Sequence, residues 1–107
     1  MSNQNVLKVK IRNTETILFE GEVERISSFN EIGPFDIYPM HANFISIIRQ
    51  ELILYHHREK IKELKLEQAV MKVKQDIVHI FLGIEAFVLD EEAQNRNEQR
   101  GESKIRN

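Results

Sequence analysis

The sequence predicts an all-β fold, an antiparallel β-sandwich of about ten short strands with a short polar C-terminal tail. Three observations support this prediction. Apolar and polar residues alternate with a period of two in several segments. Glycines, prolines or pairs of polar residues separate these segments. No stretch before residue 90 shows the 3.6-residue apolar stripe of an amphipathic helix. Many short strands in one small domain are typical of a sandwich or a barrel.

The predicted strands follow one another closely. In the first, apolar residues alternate with two lysines and an arginine, so one face is apolar. Glu20-Gly21 predicts a turn or bulge, and the strongest break is the segment 31–34. Pro39 ends the fourth strand, since proline cannot donate to an interior ladder. The ten strands are Val6–Arg12, Thr16–Phe19, Val23–Ser27, Phe35–Tyr38, Phe44–Arg49, Leu52–His56, Ile61–Leu66, Ala69–Lys74, Ile77–Leu82 and Ile84–Val88.

Length and composition limit the domain organisation and the class of function. The 107 residues are enough for one domain with one core. A net charge of −2 argues against a nucleic-acid binder, and the lack of cysteine excludes thiol chemistry. No segment has the features of a secretory signal or a membrane span. We expect residues 1–89 to form the sandwich and residues 90–107, which have few apolar side chains, to form a mobile polar tail.

Several strands are apolar on both faces, which is more apolar surface than one small core buries. Ile45 and Ile47 lie on the face opposite to Phe44 and Ile48, and Ile53 has the same position in the next strand. Soluble monomers rarely expose large contiguous apolar patches. The spare face therefore predicts a docking surface for a partner. The alternative is that loops, the tail or barrel closure cover it.

The residues that could carry chemistry do not form a catalytic or metal-binding pattern. His41, His56, His57 and His79 include no HExxH arrangement. His56 and His57 are neighbours on a predicted strand, so their side chains are expected on opposite faces, where they cannot share a metal ion. The serines lack a nucleophile elbow, and there is no glycine-rich phosphate loop. We therefore expect a protein that is not an enzyme and has no cofactor or metal.

Two segments resemble the epsilon subunit of the rotary F-type ATP synthase, which is called delta in mitochondria. Gly33, a short apolar strand and then the segment 39–43 resemble the family's glycine, strand and Pro-Gly-His-Ala-Pro. Upstream, the segment 19–26 resembles the family's F-x-G-x-V-x-x-I. Met40 and Asn43 stand where the family usually has glycine and proline. The resemblance covers roughly residues 6–89.

The resemblance implies a ten-stranded sandwich at the foot of the central stalk. There it would be a non-catalytic rotor part that joins the gamma subunit to the c-ring of a proton- or sodium-translocating ATP synthase, peripheral to the cytoplasmic side of the cell membrane. A stand-alone ligand-binding sandwich and an assembly or regulatory factor are the alternatives. By position, the c-ring-facing loop would be Glu31, Ile32, Gly33 and Pro34, and the gamma-facing residues would be Asn13, His41 and Ser46 with Ile45 and Ile53 of the docking face.

The segment after Leu89 departs from the family pattern. The family usually continues into a helical hairpin, which can inhibit ATP hydrolysis and in some members binds ATP. Here 18 residues follow, and Ala93 stands where the family's L-D-x-x-R-A element has its arginine. So short a segment without an apolar stripe is marginal as a helix. We expect neither inhibition by extension nor ATP binding of that type.

Overall fold

The computed structural model describes residues 6–40 and 43–83, and this part of the chain forms seven strands in one sheet. The prediction of an all-β fold is confirmed. The sheet order is β2-β1-β7-β6-β5-β3-β4, and every neighbouring pair is antiparallel except β1 with β7. In the described ranges no helix has the length and apolar character needed to cross a bilayer. The strands are β1 Leu7–Arg12, β2 Ile17–Val23, β3 Arg25–Asn30, β4 Gly33–Ile37, β5 Phe44–His56, β6 Glu59–Lys74 and β7 Ile77–Leu82.

The two longest strands, β5 and β6, bend at the same place. The register between them shifts from Ile48 to Gln50, and Gln50 has a φ of 73°. This is the pattern of a β-bulge, which bends a strand and increases its twist. Of the strands that the structure describes, β6 alone pairs with residues 44–48 of β5, whereas β3 pairs with β5 from Arg49 onward. The sheet therefore folds over at the bulge into two layers, with β1, β2 and β7 in one and β3 and β4 in the other.

One apolar core lies between the two layers. Both layers contribute side chains that are almost fully buried, and partly buried phenylalanines pack around them. Burial of each large aliphatic side chain contributes on the order of 1.5–3 kcal/mol. This core orients the strands, so that the remaining side chains of each layer form an outer face. Its largest members are Leu7, Ile11, Ile26, Ile37, Ile48, Leu52, Leu54, Met71 and Ile80.

The sequence predicted more strands than the described part contains, because two predicted breaks are bends. The polar pairs at 50–51 and 67–68 lie near each other at the bulge, so β5 and β6 each contain two predicted strands. Two residues of β6 stand opposite Arg49 there, which shifts the alternation by one position. Leu64 and Leu66 are half-buried before the shift, and Met71 and Val73 are buried after it. An apolar alternation that shifts by one position across a polar pair therefore indicates one continuous strand with a bulge. The polar pair alone does not show that the strand ends.

The predicted break at Glu20-Gly21 is also wrong, because β2 runs through it to Val23. A Cβ on Gly21 would lie 3.2 Å from Cζ of Phe19, so the phenylalanine ring covers the glycine and supports the strand. The chain breaks instead at Glu24, between β2 and β3. The tenth predicted strand, Ile84–Val88, and the tail at 90–107 lie outside the described residues.

Candidate functional site

An open groove beside the first half of β5 brings together residues from both predicted contact sets. The β3–β4 turn and β5 form its two sides. The c-ring-facing loop and part of the gamma-facing set are therefore neighbours in space, although they are far apart in the sequence. The residues that line the groove are Asn30, Glu31, Ile32, Ser46, Ile47 and Arg49, together with Gln68 of β6.

The β3–β4 turn is a tight structure that projects one isoleucine. The side-chain oxygen of Asn30 accepts hydrogen bonds from the backbone N–H groups of Ile32 at 2.9 Å and Gly33 at 3.3 Å. Gly33 has a φ of 143°, a conformation that favours glycine. Pro34 lies on the edge strand β4 and pairs with Phe29 of β3. A missing N–H is tolerated at an edge strand. The side chain of Ile32 is 91% exposed at the tip of this rigid turn.

The first half of β5 presents two isoleucines to solvent. Ile45 is 56% exposed and Ile47 is 44% exposed, whereas Ile48 on the opposite face is fully buried. Among the described strands, this half of β5 pairs with β6 on one side only. Its outer face is therefore an apolar strip at the edge of its layer, which is the position where a partner can approach a sheet.

Ser46 does not share the face of Ile45 and Ile47. In the register it aligns with Met71 and Ile80, which are core residues. Its hydroxyl accepts a hydrogen bond of 3.3 Å from the side-chain amide of Asn30, which ties β5 to the β3–β4 turn. Ser46 thus borders the groove from the core side, while Ile47 borders it from the outer side.

The other predicted gamma-facing residues are not brought to this groove. The side-chain oxygen of Asn13 accepts hydrogen bonds of 2.8 Å from the N–H groups of Glu15 and Thr16, so it holds the β1–β2 turn. That turn follows β1, three strand positions from β5 in the sheet, or roughly 14 Å. Ile53 is only 9% exposed, so the structure does not offer it to a partner. His41 lies outside the described residues.

A polar cluster at the β5–β6 turn was missed by the sequence reasoning. Glu24, His56 and His57 bring three possible ligand atoms within 4.8 Å of one another. The prediction that the two histidines lie on opposite faces is wrong, since their ring centroids are 4.1 Å apart. The reason is that His57 and Arg58 have φ values of 53° and 65° and form the tight turn, where strand alternation stops. The sequence signal that could have indicated this turn was the polar pair His57-Arg58, which lies between two long apolar strands.

Comparison with protein families and sequences gives one consistent result. Residues 6–83 match the model of the ATP synthase delta/epsilon chain β-sandwich domain. The ATP synthase epsilon chain of Leptospira interrogans is 30% identical over 76 residues, which are 71% of this chain and 60% of that protein. The epsilon chain of Leptospira borgpetersenii is 30% identical over 74 residues, which are 69% of this chain and 58% of that protein. The chain thus spans about three fifths of the length of the curated relatives that it matches.

Solved structures show the same fold at low sequence identity. A chain of the Euglena gracilis mitochondrial ATP synthase, in a structure of OSCP, F1 and the c-ring, aligns with a TM-score of 0.66 and 13% identity over 92% of this chain and 66% of its own length. A chain of the Tetrahymena thermophila mitochondrial ATP synthase central stalk and c-ring aligns with a TM-score of 0.59 and 10% identity over 71% of this chain and 62% of its own. At this identity the likeness concerns the fold alone.

Proposed function

Because the chain belongs to the ATP synthase delta/epsilon family, we propose that it is a non-catalytic central-stalk subunit that joins the gamma subunit to the c-ring of a rotary ATP synthase. It would be peripheral to the membrane, on its cytoplasmic side, and the translocated ion would be a proton or sodium. The observation that carries the proposal is the apolar surface around the groove, formed by Ile32, Ile45 and Ile47, which are 91%, 56% and 44% exposed.

The composition of this surface suits a permanent interface. Stable interfaces have an apolar centre and a polar rim. The three isoleucines supply apolar contacts, and Glu31 and Arg49, both exposed, supply charges at the margin. A rotor contact must also resist shear. Asn30 accepts a hydrogen bond from the N–H of Ile32 and donates one to Ser46, and these bonds hold that side of the groove in place.

The proposal assigns the two sides of the groove to different partners. The outer strip of Ile45 and Ile47, with Ser46 beside it, faces gamma. The turn that carries Glu31, Ile32, Gly33 and Pro34 faces the c-ring loops. This division follows the positions that the resemblance to the epsilon subunit implies for the loop 31–34 and for Ile45 and Ser46. It also gives each partner a contact that can be changed separately.

Binding to gamma tests the first assignment. We expect Ile47→Asp to weaken capture of purified gamma by about tenfold or more, because it places a charge in the apolar centre of the contact. Ile61→Asp is the matched control. Ile61 is 45% exposed, against 44% for Ile47, and it lies in the half of β6 that precedes the bulge, on the other side of the bend from Ile47. Circular dichroism would show that both variants are folded. Equal loss in the two variants, or no loss in either, would reject the gamma-facing strip.

Membrane association tests the second assignment. We expect Ile32→Asp to bind gamma normally and to lower the amount of gamma and of this chain that sediments with c-ring membranes. If Ile32→Asp also abolishes gamma binding, the groove serves one partner rather than two. If the chain binds gamma but never sediments with the c-ring, the assembly-factor alternative is favoured over a resident rotor subunit.

A further inference from the structure

We propose that Glu24, His56 and His57 form a binding site for a divalent transition-metal ion of the Zn²⁺ class, at the end of the domain that carries the β5–β6 turn. The site is distinct from the groove to which the proposed function refers. The two imidazoles and the carboxylate offer one ligand atom each, and these atoms lie within 4.8 Å of one another. Two imidazole nitrogens and a carboxylate oxygen are a ligand set that Zn²⁺ uses in proteins with an open fourth position.

The distances fit a bridging ion better than direct hydrogen bonds. Oε2 of Glu24 lies 3.7 Å from Nδ1 of His57 and 4.0 Å from Nδ1 of His56. Hydrogen bonds between such atoms are shorter, about 2.7–3.2 Å. A tetrahedral ion with bonds of about 2.0–2.1 Å holds its ligand atoms about 3.3 Å apart. The side chains of His57 and Glu24 are 79% and 38% exposed, and rotation of these two can shorten the 3.7 Å distance between them by the remaining few tenths of an ångström.

The nitrogen of His56 that faces Glu24 has no other use in the described structure. Nδ1 of His56 is buried and makes no hydrogen bond, although the side chain as a whole is 30% exposed. A buried polar atom without a partner is costly, on the order of 1–3 kcal/mol. A metal ion bound at this nitrogen would remove that cost. Glu24 does not, because its carboxylate oxygen is 4.0 Å away, which is too far for a hydrogen bond.

The backbone holds Glu24 in position to act as a ligand. Its N–H donates to the carbonyl of Tyr55 at 2.8 Å, and Oε1 accepts a 2.8 Å hydrogen bond from the N–H of His57. The second oxygen, Oε2, is left to face both imidazoles. An outer hydrogen bond of this kind orients a carboxylate toward a metal ion.

Arg25, the cation next to Glu24 in the sequence, has other partners. The guanidinium of Arg25 lies 3.8 Å from the ring centroid of Tyr55 and 3.8 Å from a carboxylate oxygen of Asp36. The charge of Glu24 is therefore available to a metal ion. Glu24 joins β2 to β3, His56 ends β5 and His57 lies in the turn after it, so a bound ion would tie the β5–β6 turn to the β2–β3 corner.

Direct metal binding tests the proposal. The full chain without an affinity tag is titrated with ZnCl₂ in competition with a chromophoric chelator, and we expect one ion to bind with micromolar affinity or better. Glu24→Gln and His57→Asn should each weaken zinc binding by about tenfold or more. His79→Gln is the control and should bind as the unchanged chain does. Mg²⁺ should not compete, because it prefers all-oxygen sites.

The variants are chosen so that they keep the turn. A glutamine at position 24 still has an oxygen that can accept the N–H of His57, and asparagine tolerates the positive φ at position 57. Long-range ¹H–¹⁵N spectra of the histidine rings provide a second measurement. Shifts of Nδ1 in His56 and His57 on addition of zinc would support the site. Shifts confined to other histidines, equal zinc affinity in all variants, or loss of binding only in His79→Gln would overturn it.

Discussion

The two halves of β5 have similar sequences and different surroundings. Both were predicted to be apolar on two faces. In the first half, Ile45 and Ile47 are 56% and 44% exposed, whereas Ile53 in the second half is 9% exposed. Within residues 6–40 and 43–83, the first half pairs with β6 alone, and the second half lies between β3 and β6. An apolar residue on an outer face stays exposed or is covered according to the strands beside it.

Polar side chains lie beside Ile53 on the same face of the sheet. In the register Ile53 lies between Ser27 and Glu63, and Glu51 is on the same face of β5. Lys65 bridges Glu51 at 3.2 Å and Glu63 at 3.9 Å, so a ladder of charges runs over this face. The methylene stems of such side chains cover apolar surface while their charged ends stay in water. A polar face can thus contain a buried isoleucine.

Truncation of the two isoleucines gives the largest expected difference between the halves. Ile53→Ala should lower the free energy of unfolding by about 2–4 kcal/mol, because it removes buried methyl groups. Ile45→Ala should change it by about 0.5 kcal/mol or less, as is usual at exposed positions. Urea unfolding of both variants measures the difference. If the two cost the same, the distinction between a covered and a free half of β5 is wrong.

The bend that separates the halves is the next feature to test. Gln50 has a φ of 73°, a conformation that costs a residue with a side chain about 1–2 kcal/mol. Glycine avoids most of that strain but loses about 0.5–1 kcal/mol of backbone entropy. Gln50→Gly should therefore raise the free energy of unfolding by about 0.5–1 kcal/mol.

Gln68→Gly is the matched control for the bend. Gln68 is also exposed and also lies at the bulge, but it is not among the described residues with positive φ. Glycine there should lower the free energy of unfolding by about 0.5–1 kcal/mol. Opposite signs in the two variants, measured by urea unfolding, would support a bend that is set by β5. The same sign in both would place the strain elsewhere.

The fold was largely predictable from the sequence, because alternation is a local property. Ile77–Leu82 was predicted with the bounds that the structure shows, and the segment 31–34 was predicted as a break and contains the β3–β4 turn. The continuity of β5 and of β6 was not predicted, because a pair of polar residues is expected both in a turn and at a bulge. The shift of alternation from Leu64 and Leu66 to Met71 and Val73 was the missed signal.

The candidate sites were less predictable, because they depend on residues far apart in the chain. The exposure of Ile45 and the burial of Ile53 depend on which residues of β5 pair with β3. No local sequence pattern predicts that pairing. The histidine cluster needs Glu24, which precedes His57 by 33 positions and accepts the hydrogen bond of its N–H. Strand periodicity gave the wrong answer there, because a two-residue turn with positive φ replaces it.

The charge ladder on the covered half gives the smallest and most local prediction. A hydrogen bond to Glu63 at 3.1 Å, together with the charge of that carboxylate, raises the pKa of the Lys60 ammonium. A raised pKa in the folded state means that any stabilisation by the pair is complete below the ordinary lysine pKa and disappears as the pH rises through the folded value. Glu63→Gln should move the pKa of Lys60 back toward its ordinary value, which NMR titration of the side chain from pH 9 upward would detect. Because Lys60 is exposed, the effect of Glu63→Gln on the free energy of unfolding should be small. A large loss of stability would show that Glu63 supports the burial of Ile53 through packing rather than through its charge.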